Sequence, residues 1–375
     1  MTVKTTSKIG FQHVGSFLRP DVLKQARQDY FNNQITQKEL TTVENEAIKD
    51  LVNKEVAAGL DYATDGEFRR SYWHLDFFWG FEGIDHIHYG EGYHFAHEET
   101  RDDTAILSGH IKFNPETHPF IKDFEFLKLL TDNLDIEPKQ TIPAPSQLYV
   151  ELIRGTNDEK IKEFYPNIND LYLDIEKAYH DAILAFYDKG ARVIQLDDCS
   201  WGLFLDEDFL NTPDGKAYAN SGIQDILLEL NNKAIENLPE DLTINTHVCR
   251  GNYHSDFAFS GGYGPVADTL FAKENVDTYF LEYDSKRAGN FEPLAKVSGD
   301  KKVVLGLITT KSGELEDRQE VINRIKEASQ YLPLDRLWLS TQCGFASTEE
   351  GNVLTEQQEW AKLKLVKSIQ DEVWG

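Results

Sequence analysis

The stretch NTHVCRGNY (245–253) places His247 two residues before Cys249 at the end of an apolar, alternating run. In LTINTHVC the odd and even residues of a strand point to opposite faces, so Thr246 and Val248 share one face and His247 and Cys249 the other. An imidazole and a thiol on one face of a strand end supply half of a zinc site. A histidine and a cysteine that merely pack in a core would leave the same pattern, and the tripeptide alone is common. The pair gains meaning only if other ligand-type residues are carried to the same place. The chain has three cysteines, Cys199, Cys249 and Cys343. An odd, small number argues against a disulfide framework and fits a reducing compartment, where thiols stay free for metal or catalysis.

Eight apolar, β-rich runs recur along the chain and can do that carrying: residues 8–16, 62–67, 139–146, 192–198, 242–249, 276–283, 302–310 and 336–344. Segments of helical periodicity lie between them, among them TVENEAIKDLVNKEVAAGL, NDLYLDIEKAYHDAILAFYDKGA and IQDILLELNNKAIENL. Strand and helix alternating eight times predict an α/β fold, a parallel (β/α)8 TIM barrel formed as a single catalytic domain over residues 1–375. Residues 68–138 break the alternation. This aromatic- and histidine-rich stretch is expected to be an insertion after strand two, a lid containing an antiparallel β-hairpin. Its histidines and acids are spaced irregularly, which suits a packed, hydrogen-bonded cap better than a ligand set.

A barrel presents its chemistry at the carboxyl ends of its strands. In chain order those ends carry Gly15 and Ser16, Asp65 and Glu67, Ser146, Asp197 and Asp198, His247 and Cys249, Glu282, Thr309 to Lys311, and Cys343. Glu282 and Cys343 are therefore the company that His247 and Cys249 require. Two thiolates, one imidazole and one carboxylate form a Zn2+ shell, since thiolates favour zinc over magnesium or calcium. Glu282 could instead pair with Lys286 or Arg287, and Cys343 could simply pack. Cys199 fits no ligand spacing and reads as structural.

With these positions set out, the sequence resembles the catalytic barrel of the cobalamin-independent methionine synthase family, in a short single-barrel form. The resemblance spans nearly the whole chain through VGSF (14–17), DGEF (65–68), QLDD (195–198), THVC (246–249), LEYDS (281–285) and DRLWLSTQCGF (335–345). It implies a zinc-dependent transfer of a methyl group, from a methyl-tetrahydrofolate, to the thiol of homocysteine to form methionine. The metal ligands it implies are His247, Cys249, Glu282 and Cys343. The substrate-binding residues are Val14, Gly15, Ser16, Glu67 and Asp197. Homocysteine carries an ammonium, for which two carboxylates are apt partners. Its carboxylate suits backbone amides beside small residues.

The donor side departs from the family. Where the family places a proton-donating histidine in the loop after strand seven, this sequence has Lys311, which the resemblance makes the catalytic acid or an anion-binding group. Arg69 and Arg70 are further candidates for a negatively charged donor, and Tyr149 for an aromatic platform. The same zinc-thiolate chemistry with another donor or thiol remains open, as does a zinc- or thiol-binding homologue without turnover.

Bulk composition bounds the partners. A formal charge of −26 argues against nucleic acid, whose phosphates would be repelled. No apolar stretch is long enough to span a membrane, and the first residues lack a hydrophobic signal core, so a cytoplasmic protein is expected. Assembly into a homo-oligomer is left open.

Overall fold

The computed structural model describes residues 9–375. A seven-stranded parallel sheet runs in the order β1 (Tyr62–Ala63), β4 (Glu137–Pro143), β5 (Val193–Asp198), β6 (Thr243–Val248), β7 (Thr278–Glu282), β8 (Lys302–Ile308) and β9 (Leu337–Thr341). β2 (Glu82–His88) and β3 (Asp103–Lys112) form a separate antiparallel pair inside the predicted insertion. The parallel strands are buried along most of their length and rich in Val, Ile and Leu, as sheets covered on both faces require.

The predicted first strand, 8–16, forms no ladder over its described residues, and Lys8 lies outside them. Gly10 adopts φ +70, and short local bonds bend the chain: Gln12 Nε2 donates to the Ile9 carbonyl, and His13 Nε2 sits 2.8 Å from the Ser16 carbonyl. The segment nevertheless lies between the two sheet edges. Asp61 N donates to Phe11 O at 2.8 Å and Phe17 N to Gly66 O at 3.2 Å on the β1 side. On the β9 side Phe345 N donates to Ser16 O at 2.8 Å. One stretch bonded to residues flanking both edge strands means that the sheet curls round on itself. The fully buried Lys139 fixes it from below: its ammonium donates to the carbonyls of His13 and Val14 and to the amide oxygens of Gln12 and Gln195. Burial pulls the Lys139 pKa down to about 7, against the raising effect of Asp197, Glu55 and Glu67.

The helices follow their sequence signals. Gln37–Ala58 starts at a Thr36–Glu39 capping box and ends at Gly59 in the left-handed region. Such an N-cap contributes about 1 kcal/mol. Ile168–Asp188 turns Leu171, Ile175, Ala178 and Ile183 inward at helical spacing, which is what a covering helix must do to bury a stripe on the sheet. Glu356–Trp374 closes the chain from a second capping box, Thr355–Gln358. No helix among the described residues is long and apolar enough to cross a membrane.

Candidate metal centre and adjoining cavity

The parallel register brings the strand ends together. His247 on β6 lies opposite Asp197 on β5 and Phe280 on β7, and Glu282 ends β7. Cys249 and Cys343 each follow a strand end by one or two residues. The result is a buried group, His247, Cys249, Glu282 and Cys343, whose ligand-type atoms all lie within 4.8 Å of one another. Cys249 Sγ and Cys343 Sγ are 3.8 Å apart. That is far beyond a disulfide bond, and equals the edge expected of a tetrahedron with metal–sulfur distances of about 2.3 Å.

The surroundings prepare each atom for a cation. His247 Nδ1 is 3.2 Å from the Phe280 carbonyl, a contact in which the ring N–H donates and Nε2 keeps its lone pair. His247 Nε2 and Glu282 Oε2 are buried without a hydrogen-bond partner among the described residues. Two orphaned buried polar atoms would be costly unless something else satisfies them. Glu282 Oε1 accepts from Arg250 N at 3.0 Å, and Arg287 Nη2 stands 3.6 Å from Oε2. Burial opposes the charge on Glu282, but Lys311, Arg287, Arg250 and His247 outweigh it and hold its pKa below the usual range. Contact with Cys249 and burial push the Cys343 thiol well above its ordinary range. A divalent cation reverses that preference by taking the thiolate. Two soft sulfurs, an imidazole nitrogen with its second N–H engaged, and an unsatisfied carboxylate fit zinc.

A cavity of about 440 Å³ opens beside this group and is lined by His247, Cys249 and Cys343 together with Val14, Gly15, Ser16, Glu67 and Asp197. All five residues expected to bind the amino-acid substrate thus face one space with three of the four expected ligands, while Glu282 is completely buried behind them. Glu67 adopts φ +60, a sparsely populated conformation for a residue with a side chain. Its carboxylate accepts from Thr141 Oγ1 at 3.0 Å and pairs with Arg70 at 3.3 Å through Oε1, leaving Oε2 buried and unpartnered among the described residues. Asp197 accepts from Gln195 Nε2 at 2.7 Å. Burial, then the Glu67 charge, raises the Asp197 pKa, and burial raises that of Glu67 against the Arg70 and Arg19 charges. Two carboxyls that resist ionising in each other's company are poised for a cation. Gly15 is required here, because a Cβ would come within 2.9 Å of Glu67 Oε1.

Residues 166–363 match the cobalamin-independent synthase catalytic domain. The Bacillus subtilis protein YxjH, itself uncharacterized, is 43% identical over 363 residues, covering 96% of this chain and 94% of its own. The chain belongs to the cobalamin-independent methionine synthase family. The methionine synthase of Saccharolobus solfataricus is 25% identical over 88% of this chain and 86% of its own length. A crystal structure of a putative vitamin-B12-independent methionine synthase from Listeria monocytogenes superposes with a TM-score of 0.77 at 37% identity, covering 99% of both chains. The matches span most of each relative's own length.

The donor-side candidates Lys311, Arg69, Arg70 and Tyr149 are not among the residues lining the cavity. Lys311 does not line the cavity. Its Nζ donates to Gly251 O (3.0 Å), Asn252 Oδ1 (2.8 Å) and Asp256 O (2.9 Å), which makes it the anchor of the loop after β6. Arg69 is held by Glu44 and Asp123, and Arg70 by Glu67 and the Thr141 carbonyl. Tyr149 turns into the core against Tyr172. The aromatic lining comes mostly from the insertion, through Tyr72, Trp73, Tyr89, Tyr93 and Phe95, with Tyr253 and Phe259 added by the loop after β6. Cys199, read as structural, also lines the cavity, and its thiol interacts with that of Cys249. Its place directly after Asp198 at a strand end was the one signal available for it.

Proposed function

We propose that this chain is a zinc-dependent methyltransferase that moves a methyl group to the thiol of homocysteine, producing methionine. The observation that carries the reading is one cavity onto which three members of a His–Cys–Cys–Glu ligand set open together with a pair of buried, ionisation-resistant carboxyls. We read the chain as a single (β/α)8 barrel domain over 1–375, its first stave supplied by the irregular segment before Phe17 and its 68–138 insertion acting as a lid.

His247, Cys249, Glu282 and Cys343 would hold zinc, which would supply the Lewis acidity that favours the thiolate form of an incoming thiol. The chain's own residues do the rest. Glu67 and Asp197 take the ammonium, and backbone around Gly15 and Ser16 takes the carboxylate, so the thiol is directed at the ligand set. The sulfur then attacks a methyl carbon delivered from the open part of the cavity: the S–C bond forms as the C–N bond to the donor breaks, and the nitrogen leaves with that electron pair and takes up a proton equivalent to the one the thiol gave up. A methyl-tetrahydrofolate is the donor proposed: Trp73, Tyr93 and Phe95 offer flat apolar faces for a fused ring, and Glu151 lines the same wall. Lys311 is assigned to holding the Gly251–Asp256 loop rather than to proton transfer.

The test is metal analysis of the purified chain followed by incubation with homocysteine and a panel of methyl donors. One tightly held zinc and methionine formed from a methyl-tetrahydrofolate are expected. A chain that binds neither zinc nor homocysteine would sink the reading.

A further inference from the structure

A second set of ligand-type residues stands outside the cavity, on the β2–β3 hairpin. His86 and His88 are two residues apart on β2 and therefore face the same side, and Asp103 on β3 lies directly across from His88. Their irregular spacing in sequence hides this, because the antiparallel ladder alone brings them together. The three ligand-type atoms lie within 4.8 Å of one another. His86 Nε2 is 2.6 Å from Asp103 Oδ1, and His88 Nδ1, which is hydrogen-bonded to Asp102 Oδ1 at 3.0 Å, lies 3.6 Å from that Asp103 oxygen.

Neighbours orient these groups from behind. Tyr72 Oη donates to Asp103 Oδ2 at 3.1 Å, and Arg101 Nε stands 3.6 Å from that same oxygen. Oδ1 is thereby turned toward the two imidazoles. Trp79 stacks on the His86 ring, with centroids 4.1 Å apart, and is itself fixed by its Nε1–H donating to the Thr104 carbonyl. Asp103 is buried while both histidines reach solvent, so a cation can enter from one side and keep water in its remaining positions. Held carboxylate, braced imidazole and an open coordination side are the features of a metal site with a supporting outer layer.

We propose that His86, His88 and Asp103 form a second divalent-metal site, of the zinc, nickel or copper class that two imidazoles and one carboxylate select. The cation replaces the proton shared between His86 Nε2 and Asp103 Oδ1 and draws in His88. The site ties the end of β2 to the start of β3. Between those two points the chain makes the excursion that brings Tyr89, Glu91, Tyr93, Phe95 and Thr100 to the cavity. Metal bound here clamps the base of that excursion.

Zinc and cobalt titrations of the full chain test this without reference to turnover. The wild type is expected to take up two equivalents, and the His86→Ala/His88→Ala double variant one. Cobalt in the second equivalent should quench a saturable part of the tryptophan emission through Trp79 and lack a thiolate-to-metal absorption band. The Asp103→Asn variant, which keeps the side chain's shape, should weaken that equivalent at least about tenfold while far-ultraviolet circular dichroism stays unchanged. Hydrogen exchange over residues 89–100 should slow on its addition. One equivalent in the wild type, a second equivalent that survives the double variant, or half-saturation only at millimolar metal would each overturn the site. None of these outcomes bears on the cavity-side ligands, whose equivalent is read separately by its thiolate band.

Discussion

Cys249 and Cys343, 94 residues apart in the chain, hold their sulfur atoms 3.8 Å from each other beside an imidazole nitrogen and a carboxylate oxygen that lack other hydrogen-bond partners among the described residues. Cys249 and burial raise the Cys343 pKa, so this thiol gains nothing from the proximity unless a cation sits between the two sulfurs. Replacing Cys343 by Ser is expected to weaken zinc binding by more than roughly 100-fold, beyond the effect typical of losing a supporting outer partner. The barrel should stay folded, since Ser fits the same space. Glu282→Gln should weaken zinc less, because thiolates grip zinc harder than carboxylates do. Metal analysis after dialysis against a graded chelator, alongside circular dichroism, measures both. Unchanged zinc in the Cys343 variant would remove that residue from the site.

The carboxyl pair gives a prediction in protons. In the free chain burial and mutual repulsion keep Asp197 protonated above the ordinary carboxyl range. A bound ammonium favours the ionised form, so its arrival lowers that raised pKa. Binding must then release a proton at pH values below the raised pKa and above the lowered one, and none well above both. Methionine is the suitable probe, because it brings the ammonium but no thiol proton. Calorimetry in buffers of different ionisation enthalpy near neutral pH should detect release in the wild type and none in Asp197→Asn. The variant should lose amino-acid affinity while zinc content holds. Equal loss of both would mean that Asp197 is structural.

Gly15 offers a steric check on the same half-site. A methyl group there would stand 2.9 Å from Glu67 Oε1, against a carboxylate already fixed by Thr141 and Arg70. Glu67 must then move out of the cavity wall. Gly15→Ala is expected to weaken amino-acid binding about tenfold, near 1.4 kcal/mol, with zinc content unaltered. Titration with methionine would measure it, and wild-type affinity would show that Glu67 has slack the structure does not display.

The ligand set was legible in the sequence because each member ends a hydrophobic, β-rich run, and parallel sheets place such ends side by side. The first stave was not. Its backbone bonds are divided between both sheet edges and side chains, with Asp61 Oδ2 accepting from Phe11 N, and no periodicity encodes that. The aromatic wall was also hidden, since Tyr93 and Phe95 reach the cavity only after the insertion folds back, with Ala96 N donating to Phe257 O. The pairing of His86 and His88 with Asp103 likewise depends on a hairpin register that includes a bulge at Glu82–Ile84. Local sequence carries element type well and long-range register poorly.

Lys311 combines a position that suits an acid with contacts that suit an anchor. It stands at a strand end, where a catalytic acid belongs, yet its three acceptors lie 55 to 60 residues earlier and tie it to the loop whose Gly251, Asn252 and Tyr253 line the cavity. Lys311→Met removes three charge-assisted donors from partly buried acceptors, a loss on the order of 1–3 kcal/mol in stability. It also removes the largest favourable charge acting on Glu282, so zinc affinity should fall modestly. An anchor and an acid differ in what pH does to them. If Lys311 anchors the loop, the variant lowers methyl transfer by a similar factor at every pH and leaves the profile's shape intact. If it donates a proton, the alkaline limb of the profile disappears in the variant while thermal stability barely changes. Rate profiles from pH 6 to 10 and melting curves on the same preparations separate the two, and the contacts of its ammonium predict the first.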